Sequence, residues 1–363
     1  MTRNISCVFF SRGRGHGHAI PDMAITAELP RFIPNIDVHF ASYATGAETF
    51  RSRKRAVVDM RLPEENSYFP TLFAAQNVIL DLRPDVVLAH EEFAAIIAAK
   101  ITGIPAIFVS AWLPPAASIG GASLSYADSI VLLERPGIFP PLEPSEARLR
   151  FAGPLVRKMD YTRKDCAQAR SDLAIPQDAQ VVLVANGGWA SEAKAPTAAT
   201  ILSAFRELNH PGKLLLWLSG REHEALASMT AGMPDVRLLG QTDRMDVLLA
   251  ASDLVITKAN RGTVMEAANM GLPTISLSYG LNPIDDILVT RLRSNLQLNA
   301  HATDGPTLRQ YIEQILSDPE LSNPAPLGLE GSTERAAKII AEEIVRVTHF
   351  AGTDRIAPMA PTS

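Results

Sequence analysis

A glycine-rich loop with two histidines follows the first apolar run of the chain, and its residue types could bind a ligand or move a proton. The loop reads SRGRGHGHAIPD, residues 11–22. Glycines between a strand and a helix let the backbone approach a ligand closely, and the helix N-terminus attracts an anion. A dinucleotide-binding turn would need a third glycine, where this chain has His18, and an acidic residue near 42–43, where it has none. The loop is therefore not a dinucleotide fingerprint.

His18 is the residue of this loop best suited to catalysis, since imidazole titrates near neutral pH and can accept a proton from a hydroxyl group. It shortly precedes Pro21, a residue type favoured at the first position of a helix. A metal site formed with His16 would need at least one more ligand, and the sequence offers none nearby, so we expect no metal. The alternative is that both histidines are ordinary polar loop residues.

A second group of chemically capable residues lies in the C-terminal half of the chain. Lys258 ends an apolar run, and Thr263 and Glu266 follow a short loop. A cation, a hydroxyl group and the free amides of a helix N-terminus would meet there, a combination that suits a diphosphate. Gly187 and Gly188 follow another apolar run and would let the backbone approach the same phosphates. The alternatives are a capping pair formed by Thr263 and Glu266 and an ordinary glycine turn.

The elements that position these residues can be predicted from the sequence. Short apolar runs alternate with segments of helical period, a pattern typical of βαβ units in a parallel sheet. The pattern breaks over a proline- and charge-rich stretch beyond residue 133 and then begins again. Predicted strands are 5–10, 37–41, 56–60, 86–89, 106–110, 180–185, 213–218, 236–239, 254–257 and 274–277, and predicted helices are 21–29, 93–101, 197–208 and 263–270. The predicted parts are an N-terminal domain 1–155, a linker 156–175, a C-terminal domain 176–332, a helix 333–349 and a disordered tail 350–363.

Composition and charge exclude several classes of protein. The 363 residues, 47% apolar and 20% charged, suit two globular domains. A formal net charge of -5 does not favour a nucleic-acid partner. The two cysteines, Cys7 and Cys166, form neither a disulfide framework nor a metal-ligand spacing. No apolar run is long enough to span a bilayer, and no signal-peptide core follows the N-terminus, so we expect a cytoplasmic protein.

The sequence resembles the GT-B glycosyltransferases, in particular the lipid II-forming N-acetylglucosaminyltransferase and UDP-glycosyltransferase families. Gly17-His18-Ala19-Ile20-Pro21 resembles their N-terminal signature. Further matching stretches follow in the same order, namely PDVVLAHEEFAAIIAAKITGIP, FAGPL, VANGGWAS and DRMDVLLAASDLVITKANRGTVMEAANMGLPTISLSY. The resemblance implies a GT-B fold, with two Rossmann-like parallel-sheet domains facing across a cleft and a C-terminal helix that returns to the N-terminal domain. It also implies an inverting glycosyltransferase that uses a nucleotide-diphosphate sugar, with a UDP-sugar as the expected donor.

The resemblance assigns roles to individual residues. His18 would be the general base, and a residue at the end of the fourth strand would orient it. His90 is nearest in register and Glu91 fits through a one-residue shift; the alternative is that Glu91 and Glu92 only favour the next helix N-terminus. Glu266 would accept hydrogen bonds from the ribose hydroxyls. The expected donor-binding residues are Gly15, His16, Gly187, Gly188, Gln241, Met245, Lys258, Asn260, Arg261, Gly262, Thr263, Glu266, Asn282, Asp285 and Asp286.

The resemblance also bears on the mechanism and on the rival functions. Retaining relatives carry a glutamate eight positions before the residue that matches Glu266, and this chain has Lys258 there, which favours inversion. Because the chain has no Asp-x-Asp motif, we expect no metal and no cofactor besides the donor. We expect a small-molecule or glycan acceptor at 43–53, 66–73 and 111–124. Peripheral membrane association and oligomeric state stay open. The alternatives are a nucleotide-sugar hydrolase and a catalytically silent nucleotide-sugar-binding partner protein. A 2-epimerase is disfavoured, because the chain does not show the acidic and arginine motif of that family.

Overall fold

The computed structural model describes residues 4–138, 148–185, 194–220, 223–240, 242–258, 261–277, 289, 293 and 298–353. The chain forms two compact units. The first combines Met1–Arg157 with Gly331–Ser363, and the second is Lys158–Glu330. Each is built on a parallel β-sheet, as the alternating apolar runs predict.

Seven strands of the first unit form one parallel sheet. They are β1 (Ile5–Ser11), β2 (Ile36–Ser42), β3 (Val57–Asp59), β4 (Val86–His90), β5 (Ala106–Ser110), β6 (Ser129–Leu132) and β7 (Leu149–Phe151). Their order across the sheet is β3-β2-β1-β4-β5-β6-β7. The order changes direction between β1 and β4. In open parallel sheets, ligands bind outside the carboxyl ends of the strands at such a point.

Helices cover both faces of this sheet. They are α1 (Ala19–Glu28), α2 (Ala44–Ser52), α3 (Tyr68–Leu82), α4 (Phe93–Thr102) and α5 (Ile119–Leu124). Alternate residues of β1 enter different hydrophobic cores: Cys7 and Phe9 pack in the core that contains α1, and Val8 and Phe10 pack in the core that contains α3 and α4. A strand buried on both faces has a nearly continuous apolar sequence, and for this reason the sequence predicts β1, β4 and β5 well.

The second unit has a six-stranded parallel sheet with the order β10-β9-β8-β11-β12-β13. The strands are β8 (Gln180–Val184), β9 (Lys213–Leu218), β10 (Val236–Leu239), β11 (Leu254–Thr257), β12 (Thr274–Leu277) and β13 (Ala300–Ala302). Its described helices are α6 (Cys166–Asp172), α7 (Lys194–Glu207), α8 (His223–Met229), α9 (Met245–Ala251), α10 (Arg261–Asn269), α11 (Gly305–Ser317) and α12 (Pro319–Ser322). The order changes direction between β8 and β11, the strands that precede the expected diphosphate loops.

Part of the predicted linker 156–175 is regular structure of the second unit. A 3-10 turn at Arg163–Asp165 leads into α6. Arg170 on α6 is buried, donates to the carbonyl oxygen of Ala251 at 3.1 Å, and pairs with Asp253 at 2.9 Å. Because a buried guanidinium is tolerated only when its donors are paired, these bonds fix α6 to the second unit.

The last helix, α13 (Ser332–Thr353), belongs to the first unit. Ala336, Ile340 and Ile344 lie one turn apart and are buried in the hydrophobic core that contains α1. Glu343 pairs with Arg150 of β7 at 2.9 Å. The predicted return of the C-terminal helix to the N-terminal domain is therefore confirmed. Among the described residues, no helix has both the length and the apolar character needed to cross a membrane.

Two helices begin earlier than predicted. α1 begins at Ala19, so Pro21 is its third residue and not its first. α10 begins at Arg261, so Thr263 lies at its third position and cannot be the capping residue that precedes a helix. Thr263 and Glu266 therefore do not form the capping pair that was the alternative to a binding site.

Candidate active site

The loop after β1 and the end of β4 meet at the point where the strand order of the first sheet changes direction. β1 and β4 are adjacent and parallel, with Ser11 opposite His90 in register. His18, immediately before α1, is therefore brought next to His90 and Glu91. The side chains that the sequence nominated for catalysis form one group at the carboxyl edge of the sheet.

Glu91 is the hydrogen-bond partner of His18. Nε2 of His18 lies 3.0 Å from Oε2 of Glu91, and the exposed fractions of the two side chains are 16% and 10%. The other carboxylate oxygen, Oε1, lies 3.0 Å from Oγ of Ser110 at the end of β5. Glu91 has a φ of 55°, a left-handed conformation that is uncommon for a residue with a side chain. The structure therefore favours Glu91 over His90 as the residue that orients His18.

The charges around Glu91 keep it ionised. Burial alone would raise the pKa of Glu91, but the charge and the hydrogen bond of His18, together with the charge of His90, outweigh burial and hold this pKa well below its usual range. An ionised carboxylate only accepts hydrogen bonds, so Nε2 of His18 carries the proton that it donates. The free nitrogen of neutral His18 is then Nδ1. It is shielded from solvent and has no hydrogen-bond partner among the described residues.

His90 has a separate partner, Asp22, which the sequence analysis missed. Nδ1 of His90 donates to Oδ1 of Asp22 at 2.6 Å, and both side chains are buried. Burial alone would lower the pKa of His90, but the nearby, hydrogen-bonded Asp22 outweighs it and, with the charge of Glu91, raises this pKa. The signal in the sequence was an aspartate one helical turn after His18, where residues i and i+4 share a face.

The same group has donor atoms of the type that bind transition metals. One ligand atom from each of His18, His90 and Glu91 lies within 4.8 Å of the others. Nitrogen and carboxylate donors of this kind suit zinc, so these residues could hold such an ion, although their sequence spacing gave no such signal. His16 is not part of the group, and its Nδ1 lies 2.7 Å from Oγ1 of Thr49.

The glycine loop is held by a side chain from a distant part of the sequence. The amide of Gly15 donates to Oε1 of Glu64 at 2.9 Å, and Gly15 has a φ of 63°, which favours glycine. Nε of Arg14 donates to the carbonyl oxygen of Glu64 at 3.3 Å. The Glu64 carboxylate therefore accepts the hydrogen bond of the Gly15 amide. From the sequence, Gly15 was expected to contact the donor instead.

Glu92 follows Glu91 in the chain but has a different hydrogen-bond partner. Its Oε2 accepts a hydrogen bond from the hydroxyl group of the buried Tyr43 at 3.1 Å. Burial raises the pKa of Glu92 to about 7, although the positive charges of Arg12 and Arg14 and the bond from Tyr43 act in the opposite direction. From the sequence, Glu92 is expected only to favour a helix N-terminus, because its burial depends on the tertiary fold.

The candidate diphosphate site lies in the second unit, where β11 leads into α10. Lys258 follows β11 and is half-buried, Thr263 is buried, and Glu266 is half-buried on the second turn of α10. Arg261 and Gly262 form the first two positions of α10. Lys258 thus precedes α10, and Arg261 and Thr263 lie in its first turn; that they bind a diphosphate stays a prediction.

The structure describes only some of the other residues that the sequence assigns to the donor site. Met245 is the first residue of α9 and is buried in a hydrophobic core of the second unit. Residues Gly187, Gly188, Gln241, Asn260, Asn282, Asp285 and Asp286 lie outside the described residues. Their assignment remains a prediction from the sequence.

Comparison with known proteins adds sequence and fold relatives. Residues 198–281 match the family model "Glycosyltransferase family 28 C-terminal domain". The chain is 25% identical over 373 residues to the UDP-N-acetylglucosamine--N-acetylmuramyl-(pentapeptide) pyrophosphoryl-undecaprenol N-acetylglucosamine transferase of an Exiguobacterium species, covering 93% of this chain and 99% of the relative.

Solved structures share the fold at low sequence identity. The glycotransferase of kitacinnamycin has a TM-score of 0.65 at 18% identity, covering 95% of this chain and 99% of the other. The UDP-GlcNAc 2-epimerase from Neisseria meningitidis has a TM-score of 0.66 at 14% identity, covering 94% and 100%. The fold with two Rossmann-like parallel-sheet domains, called GT-B, is therefore confirmed.

Proposed function

We propose that this chain, a glycosyltransferase of the GT-B type, transfers a sugar from a UDP-sugar to an acceptor hydroxyl group with inversion and without a metal ion. The observation that carries the proposal is the 3.0 Å contact between His18 and Glu91. A carboxylate that orients an imidazole is the arrangement a general base requires. The sequence relatives are named as transferases of N-acetylglucosamine from its UDP derivative, and this makes UDP-N-acetylglucosamine the first donor to test.

The proposed reaction is a direct displacement. The acceptor hydroxyl group gives its proton to His18 as its oxygen forms a bond to the anomeric carbon. The bond between that carbon and the diphosphate oxygen breaks, and its electron pair stays on the diphosphate. Glu91 stabilises the imidazolium that forms.

The proton must reach a nitrogen of His18 that is shielded at present. Because Glu91 occupies Nε2, the accepting atom is Nδ1, which is buried without a partner among the described residues. The proposal therefore requires that acceptor binding exposes Nδ1 while Nε2 keeps its hydrogen bond to Glu91. Catalytic hydrogen bonds often align only in the substrate complex.

The second unit would hold the donor. Lys258, Arg261 and the amides at the start of α10 supply positive charge for the departing diphosphate, which replaces the charge of a metal ion. Thr263 and Glu266 would donate to a phosphate and accept from the ribose hydroxyls. These roles follow from the resemblance and from the grouping of the side chains at one strand end.

The experiment that tests the proposal compares wild type with His18→Gln. Wild type incubated with UDP-N-acetylglucosamine and a panel of hydroxyl acceptors should release UDP only when a suitable acceptor is present. The substitution should lower kcat about 10²- to 10⁴-fold, because a general base contributes that much, and should leave donor-induced thermal stabilisation unchanged. His39→Gln is the control, since His39 is half-buried on β2 and pairs with Asp37 rather than with the group that contains His18. Equal activity of wild type and His18→Gln would refute the base assignment.

A 2-epimerase is the second candidate, favoured by the solved epimerase, which matches this fold as closely as the glycotransferase does. Wild type given UDP-N-acetylglucosamine without acceptor separates the candidates. A transferase leaves the donor intact, an epimerase inverts its C2 centre, and a hydrolase releases free sugar. A silent binding protein is stabilised by the donor but forms no product under any condition.

A further inference from the structure

A second ion pair lies directly beside His18, in a part of the site that the proposed reaction does not use. His90 ends β4, and its Nδ1 donates to Oδ1 of Asp22 at 2.6 Å. The exposed fractions of the two side chains are 4% and 0%. A hydrogen bond between side chains buried to this degree holds them in one geometry, because breaking it would leave polar groups without partners in the interior.

The His90 ring touches the ring of His18. The two ring centroids are 4.8 Å apart and the planes meet at 75°, an edge-to-face contact. Asp22 follows His18 by one turn of α1, and its amide donates to the carbonyl oxygen of His18 at 3.1 Å. The pair therefore contacts His18 twice, through the His90 ring and through the backbone of α1.

We propose that Asp22 and His90 form a positioning pair, which holds the ring of His18 against Glu91. The proposal rests on the proposed function of His18. Neither residue of the pair needs to touch substrate. Asp22 fixes the rotation of the His90 ring, and the His90 ring limits the rotation of His18.

The variant Asp22→Asn tests the pair, since asparagine keeps the shape and can still accept the hydrogen bond from His90. We expect kcat to fall about 10- to 100-fold with an unchanged donor KM, because a misplaced base costs rate and not donor binding. The double variant Asp22→Asn/His90→Gln keeps two polar side chains without charge and guards against misfolding caused by a His90 ring that has lost its carboxylate partner. Its kcat should match that of Asp22→Asn.

Asp37→Asn is the matched control. Asp37 and His39 form an exposed pair on β2 at 3.1 Å, so the control makes the same chemical change in the same unit, away from His18. It should keep the wild-type kcat. An Asp22→Asn enzyme with the kcat of this control would overturn the proposal.

NMR spectra of the histidine rings at one pH keep the test independent of turnover. In Asp22→Asn, but not in Asp37→Asn, the signals of the His18 ring should move, because the His90 ring that contacts it has lost its partner. Unchanged His18 signals in folded Asp22→Asn protein would show that the pair does not position His18. If wild type forms no glycoside with any donor and acceptor, the proposed function fails, and the NMR result still shows whether the pair acts on His18.

Discussion

Glu92 is expected to make the stability of the first unit depend on pH. Its burial raises its pKa from 4.5 to about 7. The unfolded chain therefore loses the Glu92 proton at lower pH than the folded chain does. The stabilising contribution is fully present below about pH 4 and is lost as the pH rises through 7. A difference of about 2.5 in pKa corresponds to roughly 3 kcal/mol, at about 1.4 kcal/mol for each unit.

Glu92→Gln removes this ionisation while it keeps an oxygen that can accept the hydrogen bond of Tyr43. The variant should therefore gain stability relative to wild type as the pH rises. The difference in the free energy of unfolding should grow by roughly 3 kcal/mol between pH 4.5 and pH 8 and then level off.

Urea denaturation followed by the fluorescence of Trp112 measures this difference. Trp112 is the only tryptophan of the first unit, so Trp189→Phe and Trp217→Phe in both proteins make the signal specific to that unit. Glu65→Gln, at an exposed position of the same unit, is the control and should show no such growth. A stability difference between Glu92→Gln and wild type that stays constant from pH 4.5 to pH 8 would refute the argument that Glu92 is buried in its protonated form.

Three further predictions concern the proposed reaction. Glu91→Gln should lower kcat about 10- to 100-fold with little change in donor KM, measured by UDP release, because the imidazolium of His18 loses its counter-charge. Lys258→Ala should raise donor KM and lower kcat, because Lys258 is proposed to stabilise the negative charge that builds on the diphosphate in the transition state. Unchanged KM and kcat would show that Lys258 is not part of the donor site. Micromolar zinc should inhibit transfer by binding the group that contains His18, and EDTA should restore the rate without lowering that of untreated enzyme.

The sequence predicted the sheets better than the helices that cover them. β4 and β5 are buried on both faces, so their apolar runs stand out in the sequence. α2 was missed because its nine residues, ATGAETFRS, contain few apolar positions and buried Thr45 and Thr49 on the inner face. α3 was missed because Phe69 and Phe73 are exposed apolar residues, which weakens the helical period.

The position of the candidate site could be predicted from the sequence, but the hydrogen-bond partners of its histidines could not. His18 was found because it lies shortly before Pro21 at the carboxyl edge of the first sheet, in a stretch that resembles the N-terminal signature of the GT-B glycosyltransferases. The choice between His90 and Glu91 depends on the left-handed backbone of Glu91, which breaks the alternation of side chains along the strand. Asp22 was missed because its role depends on a contact with a residue 68 positions away.

Because α13 belongs to the first unit but follows the second unit in the chain, the second unit can be completed first during synthesis. Ile25 and Leu29 of the first unit share a core with Ile340 and Ile344, which are translated after all of the second unit. During synthesis, the side of α1 that packs against α13 therefore has no partner until about three hundred further residues have been translated. The second unit is one uninterrupted segment and does not depend on a distant part of the chain in this way. Nascent chains released before residue 340 should therefore expose a hydrophobic surface that attracts chaperones.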